Sequence, residues 1–249
     1  MAKNKTKKII TAGSLVVEAI YPRCDRRDSQ QARAAKRKAS TEAQRRMNQI
    51  YSHQKLKLLL AANFVPGDLV VTLTCDDEHL PASRKEAQAQ LKYFRQRLTA
   101  ARKRRGQSLV MVWATESKHG EGRWHHHCVI NATGDDYDEI RQLWRYGVDI
   151  EIQPLRLDKE KNYKTLAMYM AKEEREKIGL RSWSYTRNAQ QPEVETMRVE
   201  DDTQIQAPKG SMILSEASER TAYSYYKVIE YMAPGWERRR AAKPKRRRR

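Results

Sequence analysis

The sequence predicts an α+β fold, a single antiparallel sheet with its helices on one face. Three observations carry this. From Leu69 onward, apolar stretches of strand length alternate with amphipathic stretches of helical period, in the order β-α-β-β-α-β-α. Residues 108–116 and 124–130 are both strand-like, and the short glycine-containing link between them suits a hairpin. The other strands are joined through helices. A hairpin combined with helical crossovers places the helices on one side of a sheet and leaves the other side open.

Residues 9–21 mix apolar and small side chains and form either a strand or an extended arm, ended by Pro22. Residues 26–45 are densely charged, either a solvated helix or a disordered basic arm. Ser40 or Thr41 is a reasonable N-cap for a helix running to about Asn63. Its Met47, Ile50, Tyr51, Leu56, Leu59 and Leu60 recur at helical spacing and should pack on the main domain. Pro66, Gly67 and Asp68 make a turn. Residues 69–74 are apolar and β-branched almost throughout, as in a strand buried on both faces. Thr72 and Thr74 sit in that strand, with Asp76 and Asp77 beyond its end.

Residues 83–104 read as a long basic helix capped by Ser83, with Leu91, Phe94 and Leu98 inward. Arg102 and Arg104 belong to the charged remainder, suited to water or to a nucleic-acid backbone. Residues 135–146 form a short amphipathic helix with Tyr137, Ile140, Leu143 and Trp144 inward. Residues 148–152 alternate as a half-exposed strand, and residues 158–177 are helical by composition. After Leu180 aromatics interleave with arginines, including Arg187, a pattern that stacks on single-stranded bases or packs as a connector. Residues 194–231 carry strand-like patches, expected as a small β extension on the main sheet. The end of the chain is almost wholly basic and should be disordered. The domain plan is therefore a basic arm and helix over 1–65, a main domain over 66–180, a β extension over 181–236 and a tail over 237–249.

The formal charge of +19 and a pI near 9.9 make a polyanion the natural partner. Nucleic acid is the first choice and an anionic membrane the second. No apolar run approaches the ~20 residues of a transmembrane helix. The basic start is followed by a short apolar segment broken by Glu18, which is no signal peptide. Cys24, Cys75 and Cys128 are scattered and suit a reducing cytoplasm.

The run His125-His126-His127 lies inside the strand over 124–130. Alternation puts His125 and His127 on one face, roughly 6.5 to 7 Å apart, and His126 on the other. Two imidazoles at that spacing can share a divalent ion. A turn centred between Gly120 and Glu121 sets Glu116 opposite His125; a shift by two sets it opposite His127; a slip by one sends it to the far face. The plain alternative is a solvated polar face. A structural zinc site would need Cys128, which alternates with His126, and no Cys-x-x-Cys accompanies it. Tyr169 and Lys172 are three apart and share a side of the last helix. A phenol with a neighbouring ammonium suits phosphoryl transfer, the lysine favouring the phenolate or the crowded transition state. Tyr163 lies about 240° round that helix from Tyr169.

Residues 71–74, the His125-x-His127 strand and the Tyr169-x-x-Lys172 helix together resemble the three motifs of rolling-circle replication initiators, the Rep proteins of the HUH endonuclease superfamily. The resemblance covers roughly residues 68–180. It implies a ferredoxin-like (RRM-like) sheet and a metal held by His125, His127 and Glu116, with Mg2+ or Mn2+ fitting mixed imidazole and carboxylate ligation. It further implies that Tyr169 is the nucleophile and Lys172 its helper. Such enzymes nick single-stranded origin DNA, become joined to the 5′ phosphate and leave a 3′ hydroxyl as primer. Thr72, Thr74, Arg102, Arg104, Arg123 and Arg187 are expected to contact DNA. The family pattern has a bulky hydrophobe between the histidines; His126 there must sit neutral on the helix-covered face, or His126 and Cys128 replace the pair. No Gly-x-x-x-x-Gly-Lys-Ser/Thr helicase signature is present. A host helicase and polymerase would then complete replication, in the cytoplasm of a bacterial host. Stand-alone initiators of phages and plasmids look most similar. A transposase or relaxase of the same superfamily, or a non-catalytic nucleic-acid binder on an RRM-like sheet, are the alternatives.

Overall fold

The computed structural model describes residues 5–22, 42–117, 123–171, 182–220 and 225–238. They form two antiparallel five-stranded sheets and four α-helices, in two compact units. The basic arm, the helix N-cap at Ser40 or Thr41, Cys24, the hairpin turn at Gly120 and Glu121, and the basic tail lie outside the described residues.

The site-bearing unit holds β3 (Leu69–Thr74), α2 (Arg84–Arg104), β4 (Met111–Ser117), β5 (Trp124–Ile130), α3 (Asp136–Leu143), β6 (Ile150–Pro154), α4 (Lys164–Met170) and β7 (Trp183–Tyr185). Its sheet runs β6-β3-β5-β4-β7. The first four strands have the order of a ferredoxin-like β-α-β-β-α-β unit, with β7 added at one edge. Leu69, Val71 and Leu73 of β3, Met111 of β4, and Cys128 and Ile130 of β5 point to one face. There they pack on Leu91, Phe94 and Leu98 of α2, Ile140 of α3 and Trp144. Ser83 caps α2 as expected, its Oγ accepting from the Glu86 backbone N–H at 3.3 Å. Gly147 lets the chain pass close to the end of β3, since a Cβ there would lie 2.4 Å from the Thr74 carbonyl oxygen.

Several expectations need correction. Strand β6 starts two residues later than the alternation suggested. Val148 is exposed, while Ile150 and Ile152 still face the core. Tyr137 is exposed rather than inward, because α3 turns Ile140 to the core and Trp144 enters it from beyond the helix end. Helix α4 spans seven residues, starting at Lys164. Asp158 accepts from the Thr165 N–H at 3.1 Å, so residues 158–163 make a loop before it. The second face of the sheet is not open throughout: Val112 and Val129 on it are fully buried.

The other unit holds β1 (Lys5–Ala12), β2 (Leu15–Pro22), most of α1 (Glu42–Asn63), β8 (Glu193–Val199), β9 (Met212–Arg220) and β10 (Tyr225–Met232). Its sheet runs β8-β1-β2-β10-β9. The segment read as one strand or arm is a hairpin turning at Gly13, whose φ is +62°. The β extension therefore does not join the main sheet; β8 and β10 pair with this hairpin instead. A lone hairpin is marginal in water, and these partners give it a buried face. Leu56, Leu59 and Leu60 of α1 are buried, but Met47, Ile50 and Tyr51 are exposed. The apolar stripe thus operates only in the last turns of that helix. Lys57 and Glu230 form a buried ion pair at 2.7 Å.

Candidate active site

Strand β5 lies between β3 and β4, so each of its residues meets one neighbour on either side. His125 pairs with Thr74 and Glu116; His127 pairs with Thr72 and Ala114. Of the two registers that keep the carboxylate on this face, the structure has the one with Glu116 opposite His125. Its side chain nevertheless leans to the next imidazole on that face. Glu116 Oε1 is 2.9 Å from His127 Nε2. The Tyr169 hydroxyl of α4 is 3.4 Å from the same nitrogen, and the two rings meet edge to face with centroids 4.8 Å apart. A carboxylate, an imidazole and a phenol thus converge, with His127 buried and Tyr169 about half exposed.

His125 and His127 are parallel within 17°, with ring centroids 6.5 Å apart. Of the three ligands expected, His127 and Glu116 come together and His125 stands apart. Among the described residues no three histidine, cysteine, aspartate or glutamate side chains gather as a metal site. The pair that does meet fits two adjacent positions of an octahedral ion. Bonds of about 2.1 Å at right angles set such ligands about 3 Å apart. The donors, imidazole nitrogen and carboxylate oxygen, suit Mg2+ or Mn2+.

Burial and the His127 ring lower the pKa of His125, with Glu116 acting the other way. Burial, then the charges of Glu116 and Glu151, raise that of Tyr169. Its phenol is therefore neutral near pH 7, and a cation beside it would reverse the electrostatic part of that shift. Lys172 lies outside the described residues. Tyr163 is buried ahead of α4, its hydroxyl donating to the Phe64 carbonyl at 3.4 Å. Burial raises its pKa well above the phenol range.

His126 takes the place its parity required. It has no exposed surface, Thr115 Oγ1 lies 3.0 Å from its Nδ1, and its ring meets Trp144 edge to face. Burial, with the two flanking histidines, holds its pKa down at about 3, so the imidazole is neutral. Cys128 is buried beside it in the core, which leaves His125 and His127 as the pair on the site face.

The residues expected on DNA separate into distinct roles. Arg102 is fully buried, donating to Asp136 at 2.7 Å and to the Asn131 carbonyl at 2.9 Å. Its guanidinium is structural and not available to DNA, a correction to the reading of α2 as a uniformly solvated basic face. Arg104 and Arg187 are exposed. Arg123 is exposed too, donating to the Cys75 carbonyl at 3.0 Å and pairing with Asp77. The hydroxyls of Thr72 and Thr74 lie against His127 and His125. Sequence reasoning missed Trp183 and Tyr185 as residues of the site face. They pair with Ala114 and Val112 and so share the side of Glu116. Their strand spacing, one residue apart, was the available signal.

Residues 68–174 match the model of a family described as Replication-associated protein, the ORF2 type. That span runs from the start of β3 past α4 and contains Glu116, His125, His127, Tyr169 and Lys172. The match supports a replication-associated role. No curated protein and no solved structure matches the chain. Among the described residues no helix is long and apolar enough to cross a membrane.

Proposed function

We propose that the protein nicks and rejoins single-stranded DNA at a replication origin, with Tyr169 as nucleophile, to start rolling-circle replication. The observation that carries this is the convergence of the Tyr169 hydroxyl and Glu116 on His127 Nε2, at 3.4 and 2.9 Å. The likeness of residues 68–174 to a replication-associated family favours replication over transposition or conjugation.

In the proposed reaction the Tyr169 oxygen attacks the scissile phosphorus while its proton passes to solvent through the exposed edge of the ring. The P–O3′ bond breaks, and the departing oxygen takes up a proton to become the 3′ hydroxyl. The new O–P bond joins the tyrosine to the 5′ phosphate. Attack by a 3′ hydroxyl on that bond reverses the sequence and reseals the strand. A divalent ion, Mg2+ or Mn2+, held by His127 and Glu116 with His125, would withdraw charge from the phosphate oxygens. Lys172, three residues after the nucleophile, is proposed to favour the phenolate. Arg104, Arg123 and Arg187 would hold the DNA backbone, and a host helicase and polymerase would extend from the 3′ end in a bacterial cytoplasm.

The test is a single-stranded origin oligonucleotide resolved on a denaturing gel, with and without EDTA. The expected result is a protein-linked 3′-side fragment that EDTA prevents and Tyr169→Phe abolishes. Undiminished cleavage by Tyr169→Phe excludes this nucleophile. A second reading, a basic binder without catalysis, is favoured by the separation of His125 from His127 and Glu116. It predicts salt-sensitive binding and no covalent product.

A further inference from the structure

Each histidine of the run faces a threonine on an adjoining strand. Thr72 stands opposite His127, Thr74 opposite His125 and Thr115 opposite His126. In all three pairs the threonine Oγ1 meets Nδ1, at 3.3, 3.1 and 3.0 Å. The recurrence has a simple origin. Directly opposed residues have Cβ atoms about 5 Å apart. A γ-oxygen then reaches the ring nitrogen nearest the histidine's own Cβ, and Nε2 projects beyond the strand pair. On the site face this turns His127 Nε2 toward Glu116 and Tyr169. A hydroxyl oxygen has two lone pairs and can accept from Nδ1–H.

We propose that Thr72 and Thr74 are positioning residues: their hydroxyls accept Nδ1–H of His127 and His125 and so present the Nε2 lone pairs to a divalent cation. This rests on the metal-dependent reading of the site and assigns the two threonines to the imidazoles rather than to DNA. An imidazole ligand ordinarily has its other ring nitrogen held by a hydrogen-bond acceptor, which fixes both tautomer and ring angle. Here the acceptors come from the neighbouring strand, one for each ring.

Thr72→Val and Thr74→Val in the full chain remove the hydroxyl while keeping a branched strand former. Matching far-UV circular dichroism and melting curves would establish that both fold. Two measurements decide the proposal, neither of them catalytic. Long-range 15N–1H spectra of the ring nitrogens, at about pH 8 where an ordinary imidazole is neutral, should show His125 as the Nδ1–H tautomer. Thr74→Val should convert it to the Nε2–H form. Titration with Mn2+, followed by electron paramagnetic resonance, should show each valine variant binding about 10-fold or more weakly, with Thr→Ser recovering the loss. An Nε2–H tautomer in the parent chain, unchanged in the variant, overturns the proposal. So does Mn2+ affinity that is the same with valine. Should the parent chain bind Mn2+ with the expected variant effects yet form no DNA adduct, the nicking reading fails while this inference stands. Should it bind no Mn2+, the cation role is overturned whatever the spectra show.

Discussion

At the scale of single residues, parity along β5 decides most of the chemistry. A period of two sends His126 into the core and leaves its neighbours on the site face. That assignment was legible in the sequence, and so was the need for a neutral imidazole there. Thr115, which meets His126 at 3.0 Å, was not legible, because only the register of β4 brings it across. With the His126 pKa moved from 6.5 to about 3, the unfolded chain takes up a proton between those values that the native ring refuses. Stability is therefore complete above the unfolded value and falls as the pH drops through this window. The loss between pH 7 and pH 5 should be about 2 kcal/mol from this residue, at 1.36 kcal/mol per pH unit. Urea unfolding at both pH values measures it, and His126→Phe should shrink the difference by that amount. An unchanged difference would mean that the ring is protonated in the native state.

Among elements, the ends of α2, β5 and α3 are tied by one buried cation. Arg102 reaches Asp136 and the Asn131 backbone, and Asp136 also accepts from the Thr133 N–H and hydroxyl at 2.6 and 2.7 Å. Burial works against the Asp136 charge, but the Thr133 and Gly134 donors and then Arg102 outweigh it, so its pKa is lowered. Removing one partner of a buried pair leaves the other uncompensated, at a cost of about 3–5 kcal/mol. Asp136→Asn should lower the urea-unfolding free energy by that order, whereas Arg104→Ala on the same helix should change it little. In the sequence Arg102 looked like every other member of a basic run; its partner lies on another helix and no local pattern marks it. The same limit hid the second sheet. Strands β1 and β8 each read as strand-like, but their pairing joins distant parts of the chain. The ferredoxin-like order of β3 to β6 was readable because hairpin and crossover rules act on consecutive elements.

For the whole molecule, the charge of +19 sets how it meets DNA. Neutralising phosphates releases counterions, so binding to single strands should weaken with salt at a slope of about −0.7 per contact. Arg104→Ala and Arg187→Ala should each reduce the slope by about that amount and weaken binding evenly across sequences. A slope unaltered by both would place the backbone contacts elsewhere on the chain. Binding alone, however, does not separate an enzyme from a sequence-blind ligand of DNA. The most direct measurement is mass spectrometry of the covalent product, after incubation with single-stranded origin DNA and Mg2+ followed by protease and nuclease digestion. A nucleotide attached to the peptide that carries Tyr169 is the predicted result. Attachment at another residue, or DNA fully bound with no peptide modified, would contradict the assignment of that phenol as nucleophile.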